Sequence, residues 1–158
     1  MRTIKYEAVL DNATECPHPD PPYAKKRSFI STFTIRKIKK RTVLSGQHRV
    51  LAEIPFTNLS INTYKMEAGK MQLIIRFDKI DCRSWMGRMF MAGSDIPYSR
   101  KTCQIQKGLY IIKDFDINKA SHSMPHWKAV GSFLYRTQIV HNASTVLCLD
   151  IMATFKEL

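Results

Sequence analysis

The sequence lacks the short motifs that mark nucleotide-binding and hydrolytic sites. Its 158 residues contain no P-loop, no GxGxxG, no GxSxG and no HExxH. No CxxC pair occurs either, so the four cysteines lack the spacing of a zinc knuckle. His122 and His126 are four residues apart, but they fall in a Ser/Pro-containing loop rather than on a helix. We therefore predict a non-enzymatic protein with no metal site and no cofactor.

Long apolar runs are also absent. Runs such as Leu73-Ile74-Ile75 are far shorter than the ~20 apolar residues of a transmembrane helix, so we do not expect the chain to span a membrane. No low-complexity tract interrupts the chain. Its length suits one domain with a real core, and we assign residues 1–158 to a single domain.

Acidic residues are scarce relative to basic ones. The chain has 13 Asp and Glu against 25 Lys and Arg, a formal net charge of +12. Such a surface favours anionic partners, namely nucleic acid, acidic lipid, sulfated sugar or acidic protein, although a solvated basic face is an equally good interpretation. We do not expect nucleic acid, because the cysteines and glycosylation sequons indicate an extracellular protein. The main basic cluster comprises Lys25, Lys26, Arg27, Arg36, Lys37, Lys39, Lys40 and Arg41.

The cysteines and sequons favour secretion. Four widely spaced cysteines suit two disulfides in an oxidising compartment. Three Asn-x-Ser/Thr sequons, at Asn12, Asn58 and Asn142, are predicted glycosylation sites in turn-like contexts. Residues 1–7 contain no apolar region of a signal peptide. We therefore expect a leader that lies upstream of this chain.

Apolar and polar residues alternate along most of the chain, which predicts β-strands. The most apolar segment, 71–80, places Leu73, Ile75 and Phe77 at alternate positions, which predicts that all three lie on one face of a strand. Ser45-Gly46-Gln47 is a predicted turn, and 11–22 is a proline-rich loop. A short helix is predicted at 83–92. Together these features predict an all-β, immunoglobulin-like antiparallel sandwich of two sheets, with strands at 4–10, 29–41, 49–56, 60–66, 71–80, 108–115, 129–141 and 145–155.

Large, soft side chains concentrate in two places. Trp85, Met86, Met89 and Phe90 have helical spacing, and a second group, Met124 and Trp127, flanks Pro125. Methionine and aromatic residues form adaptable apolar surfaces that accept ligands of varied shape. They would line a cavity mouth if the sandwich were open at this end. Ordinary packing of a short helix against the core is the alternative.

A pattern in the C-terminal half resembles a known family. The pattern is Cys-x-Ile-x-Lys-Gly-x-Tyr at 103–110, a proline loop at Pro125, Gly-x-Phe-x-Tyr at 131–135, and a last strand that contains Cys148. It is similar to the ML-type lipid-recognition domains, and among them to the insect chemosensory CheB-like proteins, which are relatives of the ganglioside-activator protein. The N-terminal half resembles the family only through Cys16, the Gly46 turn and Cys82.

The resemblance implies a secreted β-sandwich that encloses an apolar cavity between its sheets. The ligand would be a lipid or another hydrophobic small molecule, bound without catalysis, in insect pheromone or taste detection. We expect a monomer, with a membrane receptor as a further candidate partner. Of three pairings that four cysteines allow, we hypothesise Cys16–Cys148 and Cys82–Cys103.

The resemblance and the two apolar groups together predict a set of ligand-binding residues. These are Ile75, Phe77, Trp85, Met86, Met89, Phe90, Tyr110, Met124, Trp127 and Phe133. The competing hypothesis is a basic β-sandwich module with a packed interior that binds an acidic protein or a glycan.

Overall fold

In its described residues the protein is an antiparallel β-protein with a short helical turn after residue 84. The computed structural model describes residues 6–88, 97–118 and 130–157. The helical turn covers 85–88; the predicted helix at 83–92 therefore begins two residues later than expected, and 89–92 lie outside the described residues. The strands are β1 (Tyr6–Glu15), β2 (Phe29–Ile38), β3 (Arg41–Val50), β4 (Ile54–Pro55), β5 (Leu59–Glu67), β6 (Lys70–Ile80), β7 (Gln104–Ile105), β8 (Gly108–Asp116), β9 (Gly131–His141) and β10 (Ser144–Glu157).

The strands form two main sheets, which confirms the predicted sandwich. Sheet A has the order β1-β10-β9-β5-β6, and sheet B has the order β2-β3-β8. The short strands β4 and β7 form a separate two-stranded sheet. The sheets approach each other along β1, which lies against both β2 and β3. This leaves β6 and β8 at the opposite edges of their respective sheets.

The predicted turn at Ser45-Gly46-Gln47 is wrong. The chain reverses instead at Lys39 and Lys40, and Gly46 lies in the middle of β3, opposite Phe33. A Cβ atom at Gly46 would lie 2.2 Å from the carbonyl oxygen of Thr32, well inside van der Waals contact. Gly46 is therefore required by a close approach between two strands rather than by a turn.

The predicted loop at 11–22 begins later than expected. β1 continues to Glu15 across a register shift between Leu10 and Asn12, and the irregular segment starts at Cys16. This segment lies along β9 and β10. The Tyr23 hydroxyl donates to the Cys16 carbonyl at 2.7 Å, and the Thr145 amide donates to the Pro22 carbonyl at 2.9 Å. The prolines thus end β1 but do not prevent a fixed path.

A cluster of buried apolar side chains forms the core at one end of the sandwich, and further buried residues such as Leu44 and Phe133 lie towards the other end. The cluster forms where β2 and β5 begin and where β3, β6 and β9 end. Both disulfides lie at this end, and each large apolar side chain fully buried there contributes about 1.5–3 kcal/mol. Its members are Phe29, Val50, Ile54, Phe56, Leu59, Ile80, Cys82, Cys103, Ile105, Ile139, Leu147 and Leu149.

Within the described ranges, no helix has the length and apolar character needed to cross a membrane.

Candidate ligand-binding site

Beyond the core, sheet A presents an apolar inner face. Because Leu59 and Ile139 are paired core residues, alternate positions from them face the interior of the sandwich. Register then places Thr63 opposite Tyr135, and Tyr135 opposite Ile151. On the edge strand, Phe77 pairs with Ile61 and Ile75 pairs with Thr63. The inner face of sheet A thus carries Ile61, Thr63, Ile75, Phe77, Tyr135 and Ile151.

Sheet B presents a matching inner face. Phe29 and Val50 are paired core residues, so the same alternation applies along β2 and β3. Phe33 lies opposite Gly46, and Gly46 lies opposite Ile112. Further from the core, Leu44 is paired with both Ile35 and Phe115. The inward-facing apolar residues of sheet B are therefore Phe33, Ile35, Leu44, Tyr110, Ile112 and Phe115.

Several of these inward-facing side chains are not fully buried. Phe77 is 36% exposed although it faces the interior, and Ile75 and Ile112 are only partly buried. Phe33 and Tyr110 pack against the core on one side and remain partly accessible on the other. The two faces therefore leave partly accessible apolar surface between β6 and β8, which are edge strands of their sheets in the described residues. We call this the β6–β8 groove.

Tyr135 supplies a polar group to the groove. Burial raises the pKa of Tyr135 to about 12, so its hydroxyl stays protonated at neutral pH. In the part of the chain that the structure describes, this hydroxyl has no hydrogen-bond partner. A neutral hydroxyl in an apolar groove can orient a ligand by one hydrogen bond.

His48 lies beneath the groove and is kept neutral. It is 2% exposed, its ring lies between those of Phe29 and Phe33, and its Nδ1 is hydrogen-bonded to the Ser31 hydroxyl. Burial lowers the pKa of His48 to about 4, and the charge of Glu15 opposes this shift only in part. His48 is thus a core residue of sheet B rather than an accessible base.

Neither acidic-and-cysteine cluster is suited to a metal. In the described residues, two groups of cysteine and aspartate side chains lie close enough together to be considered as metal sites. The first is Cys16, Cys148 and Asp150, and the second is Asp81, Cys82 and Cys103. In each cluster the two sulfur atoms are bonded to each other, so they are not thiolate ligands. A single remaining carboxylate is too few ligands for a metal site.

The predicted ligand-binding residues divide into three groups. Ile75 and Phe77 line the β6–β8 groove with Tyr110, and Phe133 faces the interior but is buried against Phe155. Two others lie on the helical turn: Trp85 is 57% exposed, and Met86 packs against the core. The remaining predicted residues, Met89, Phe90, Met124 and Trp127, lie outside the described residues.

One expectation about β6 is wrong. The sequence pattern places Leu73 on the same face as Ile75 and Phe77. In the structure, Thr63 pairs with Ile75 whereas its neighbour Tyr64 pairs with Leu73, because the register shifts between them. Neighbouring strand residues point to opposite faces, so Leu73 lies on the outer face of sheet A, where it is 46% exposed.

Sequence reasoning did not assign Phe33, Tyr135, Ile112, Phe115 and Ile151 to the site. The signal was present, since each lies at an alternate position of an apolar strand. Alternation shows that a residue faces inward, but it does not show which part of the interior is left open.

The disulfides are Cys16–Cys148 and Cys82–Cys103, the hypothesised pairing. Cys82–Cys103 lies in the core and fixes both ends of the segment that carries the helical turn. That turn packs so closely that a Cβ atom at Gly87 would lie 2.0 Å from the Asp81 carbonyl oxygen. Gly87 is therefore needed here, although glycine weakens an isolated helix.

All three sequon asparagines are exposed. Asn58 precedes β5, and Asn142 lies in the β9–β10 turn with a positive φ of 51°. Asn12 lies within β1, at its register shift, rather than in a turn. Exposure is what a glycosylation site requires.

No protein-family model matches this chain, and a search of curated proteins finds no significant relative.

Proposed function

We propose that this protein is a secreted, non-catalytic binding protein for a lipid or another hydrophobic small molecule. The observation that carries the proposal is the β6–β8 groove, whose inward-facing apolar side chains remain partly exposed. Leaving such surface in water is unfavourable by about 25 cal/mol per Å². A hydrophobic ligand that covers it would recover this free energy.

The expected affinity follows from the area that a ligand could cover. Removal of about 400 Å² of apolar surface from water, counted over both partners, contributes about 10 kcal/mol. Association costs at least about 4 kcal/mol. At this minimum cost the difference of about 6 kcal/mol corresponds to a Kd of tens of micromolar, and a larger cost of association would weaken the binding. One hydrogen bond to the Tyr135 hydroxyl would orient the ligand but would add little to its affinity.

Two disulfides are compatible with an extracellular protein, and the exposed sequon asparagines would be available for glycosylation. The resemblance to CheB-like proteins extends the proposal to insect chemosensation, with a pheromone-like or taste compound as the ligand and a membrane receptor as the recipient. The competing hypothesis is a basic β-sandwich module that binds an acidic protein or a glycan, and it requires a fully packed interior. Inward-facing residues that remain partly exposed, such as Phe77 and Ile112, favour the protein that carries a hydrophobic ligand.

A pair of variants on one strand tests the groove. Ile75→Asp places a charge on the inner face of β6, and Leu73→Asp places the same charge on the outer face two residues away. Both positions are on the same edge strand, so their effects on strand propensity and net charge are matched. Binding of a fluorescent fatty-acid analogue to the secreted protein would be titrated for each variant.

We expect Ile75→Asp to weaken binding by at least about 10-fold, or 1.4 kcal/mol. Leu73→Asp should weaken it by less than about 2-fold. Thermal unfolding of each variant controls for misfolding, and native mass spectrometry of the purified protein reports co-purified lipid. Equal losses in both variants would contradict the groove. Absence of both co-purified lipid and analogue binding would overturn the carrier proposal.

A further inference from the structure

A second concave site lies on the far side of the molecule from the β6–β8 groove. It is a pocket of about 430 Å³ where the tip of the β2–β3 hairpin meets β1 and the end of β10. Four lysines line it: Lys37, Lys39 and Lys40 from the hairpin and Lys156 from β10. We call it the lysine pocket.

The strand framework fixes the walls of the lysine pocket. The Leu10 amide of the edge strand β1 donates a hydrogen bond of 2.9 Å to Thr42 Oγ1, which holds the tip of the hairpin against β1. Val9 and Thr42 form part of the wall. Thr42 accepts this bond, so its own hydroxyl hydrogen remains available to a ligand. Lys156 projects from the strand paired with β1, opposite Glu7.

The basic cluster divides into paired arginines and unpaired lysines. Arg27 forms an ion pair with Glu15 at 2.8 Å, and Arg36 pairs with Asp114. Arg41 lies 3.6 Å from Asp116, whose carboxylate is nearly buried. The protein's own carboxylates thus partly neutralise these arginines.

The four pocket lysines, by contrast, form no ion pair with any residue in the described ranges. Glu7 is the one carboxylate among the lining residues. The uncompensated positive charge of the hairpin is therefore gathered around a cavity rather than spread over a flat face. Charge focused in a concave site attracts anions more strongly than the same charge on an open surface.

We propose that the lysine pocket binds a sulfated sugar segment of an extracellular glycan. Its volume lies within the range of small-molecule sites and far exceeds that of one inorganic ion, so it has room for a sugar ring. Lysine ammonium groups are flexible point charges without the fixed fork of arginine. They suit several sulfate groups spaced along a sugar better than one rigidly held phosphate.

The shape of the site distinguishes among anionic partners. A flat lipid bilayer cannot enter a concave pocket, whereas a saccharide chain can. The disulfides are compatible with an extracellular setting, in which sulfated glycans occur and nucleic acids are not the usual partners. This site is independent of the β6–β8 groove, so either can exist without the other.

Three variants test the proposal against net charge. The first is Lys37→Gln/Lys39→Gln/Lys40→Gln, and the second replaces the same positions by arginine, which keeps the charge. The matched control replaces three exposed lysines outside the pocket, Lys25, Lys26 and Lys107, by glutamine. Binding of a fluorescein-labelled heparin hexasaccharide would be measured by anisotropy from 0.05 to about 0.3 M salt, with circular dichroism as the fold control.

We expect the glutamine pocket variant to bind about 10-fold or more weakly at about 0.15 M salt, and its log-log salt slope to fall by about two to three. The arginine variant should retain binding within about 3-fold, and the control should lose less than about 3-fold. An equal loss in the control would show that net charge alone acts and would overturn the proposal. Absence of hexasaccharide binding to the unmodified protein would also overturn it.

Two further measurements distinguish a sulfated sugar from other anions that the lysines could bind, namely a free inorganic ion and a lipid membrane. Inorganic sulfate should displace the hexasaccharide only at concentrations at least about 100-fold higher than unlabelled hexasaccharide. If sulfate displaced the labelled hexasaccharide at the same concentration as unlabelled hexasaccharide, the pocket would be a site for single inorganic anions, and the glycan proposal would be wrong. Vesicles of phosphatidylserine and phosphatidylcholine should bind the glutamine pocket variant as well as they bind the charge-matched control variant, because each has lost three positive charges. A clearly greater loss of vesicle binding in the pocket variant than in the control would assign the lysines to a membrane surface instead.

Discussion

The buried neutral His48 predicts a specific loss of stability on acidification. Its pKa is about 4 in the folded protein and about 6.5 when unfolded. Because the folded pKa is depressed, the unfolded chain binds the proton more tightly, so the stabilisation is fully present above pH 6.5. It is lost as the pH falls from 6.5 through 4. The 2.5-unit difference corresponds to about 3.4 kcal/mol at 1.36 kcal/mol per unit.

The measurement is the free energy of unfolding in urea at intervals from pH 7.5 to pH 4. The protein should lose about 3 kcal/mol over this interval through His48, and the variant His48→Gln should lose correspondingly less. His141→Gln, at an exposed position at the end of β9, is the matched control and should follow the unmodified protein. If His48→Gln and the unmodified protein lose equal free energy between pH 6.5 and pH 4, the burial argument is wrong.

Two further predictions concern stability. The Cys16–Cys148 bridge closes a span of 132 residues and Cys82–Cys103 one of 21, so chain entropy predicts losses of about 5 and about 3 kcal/mol when each pair is replaced by serine. Denaturant unfolding of the two double variants should show this order, and equal losses would rule out the entropic explanation. Gly46→Ala should cost about 2–3 kcal/mol, because its Cβ would overlap a backbone oxygen that cannot rotate away. A neutral result in the same unfolding experiment would mean that β2 and β3 can separate without cost.

Much of the sandwich could be predicted from local sequence. The alternating segments at 60–66, 71–80 and 108–115 match β5, β6 and β8 within about two residues. The turn between β2 and β3 was misplaced. Gly46 looks like a turn residue because glycine is common in turns, but the actual reversal uses Lys39, whose positive φ no propensity favours.

The groove could be predicted only in part. Ile75 and Phe77 were among the predicted ligand-binding residues, and alternation along an apolar strand put both on one face. The same alternation put Leu73 on that face as well, which is wrong. A bulge changes which residues share a face, and it depends on the partner strand rather than on the strand's own sequence. The order of strands in the sheets, which leaves β6 and β8 at edges, depends equally on contacts between segments distant in sequence.

The position of the core at one end of the sandwich has a kinetic consequence. Segments with few buried contacts open locally with a smaller free energy than global unfolding requires. Ile80, at one end of β6, belongs to the core cluster, whereas the start of β6 at Lys70 and the end of β8 at Asp116 lie far from it along their strands. We expect these distant ends to separate while Phe29, Leu59 and Ile139 stay packed. Uptake and release of a groove ligand would then be governed by this local opening. The overall stability of the protein could be high without making ligand exchange slow.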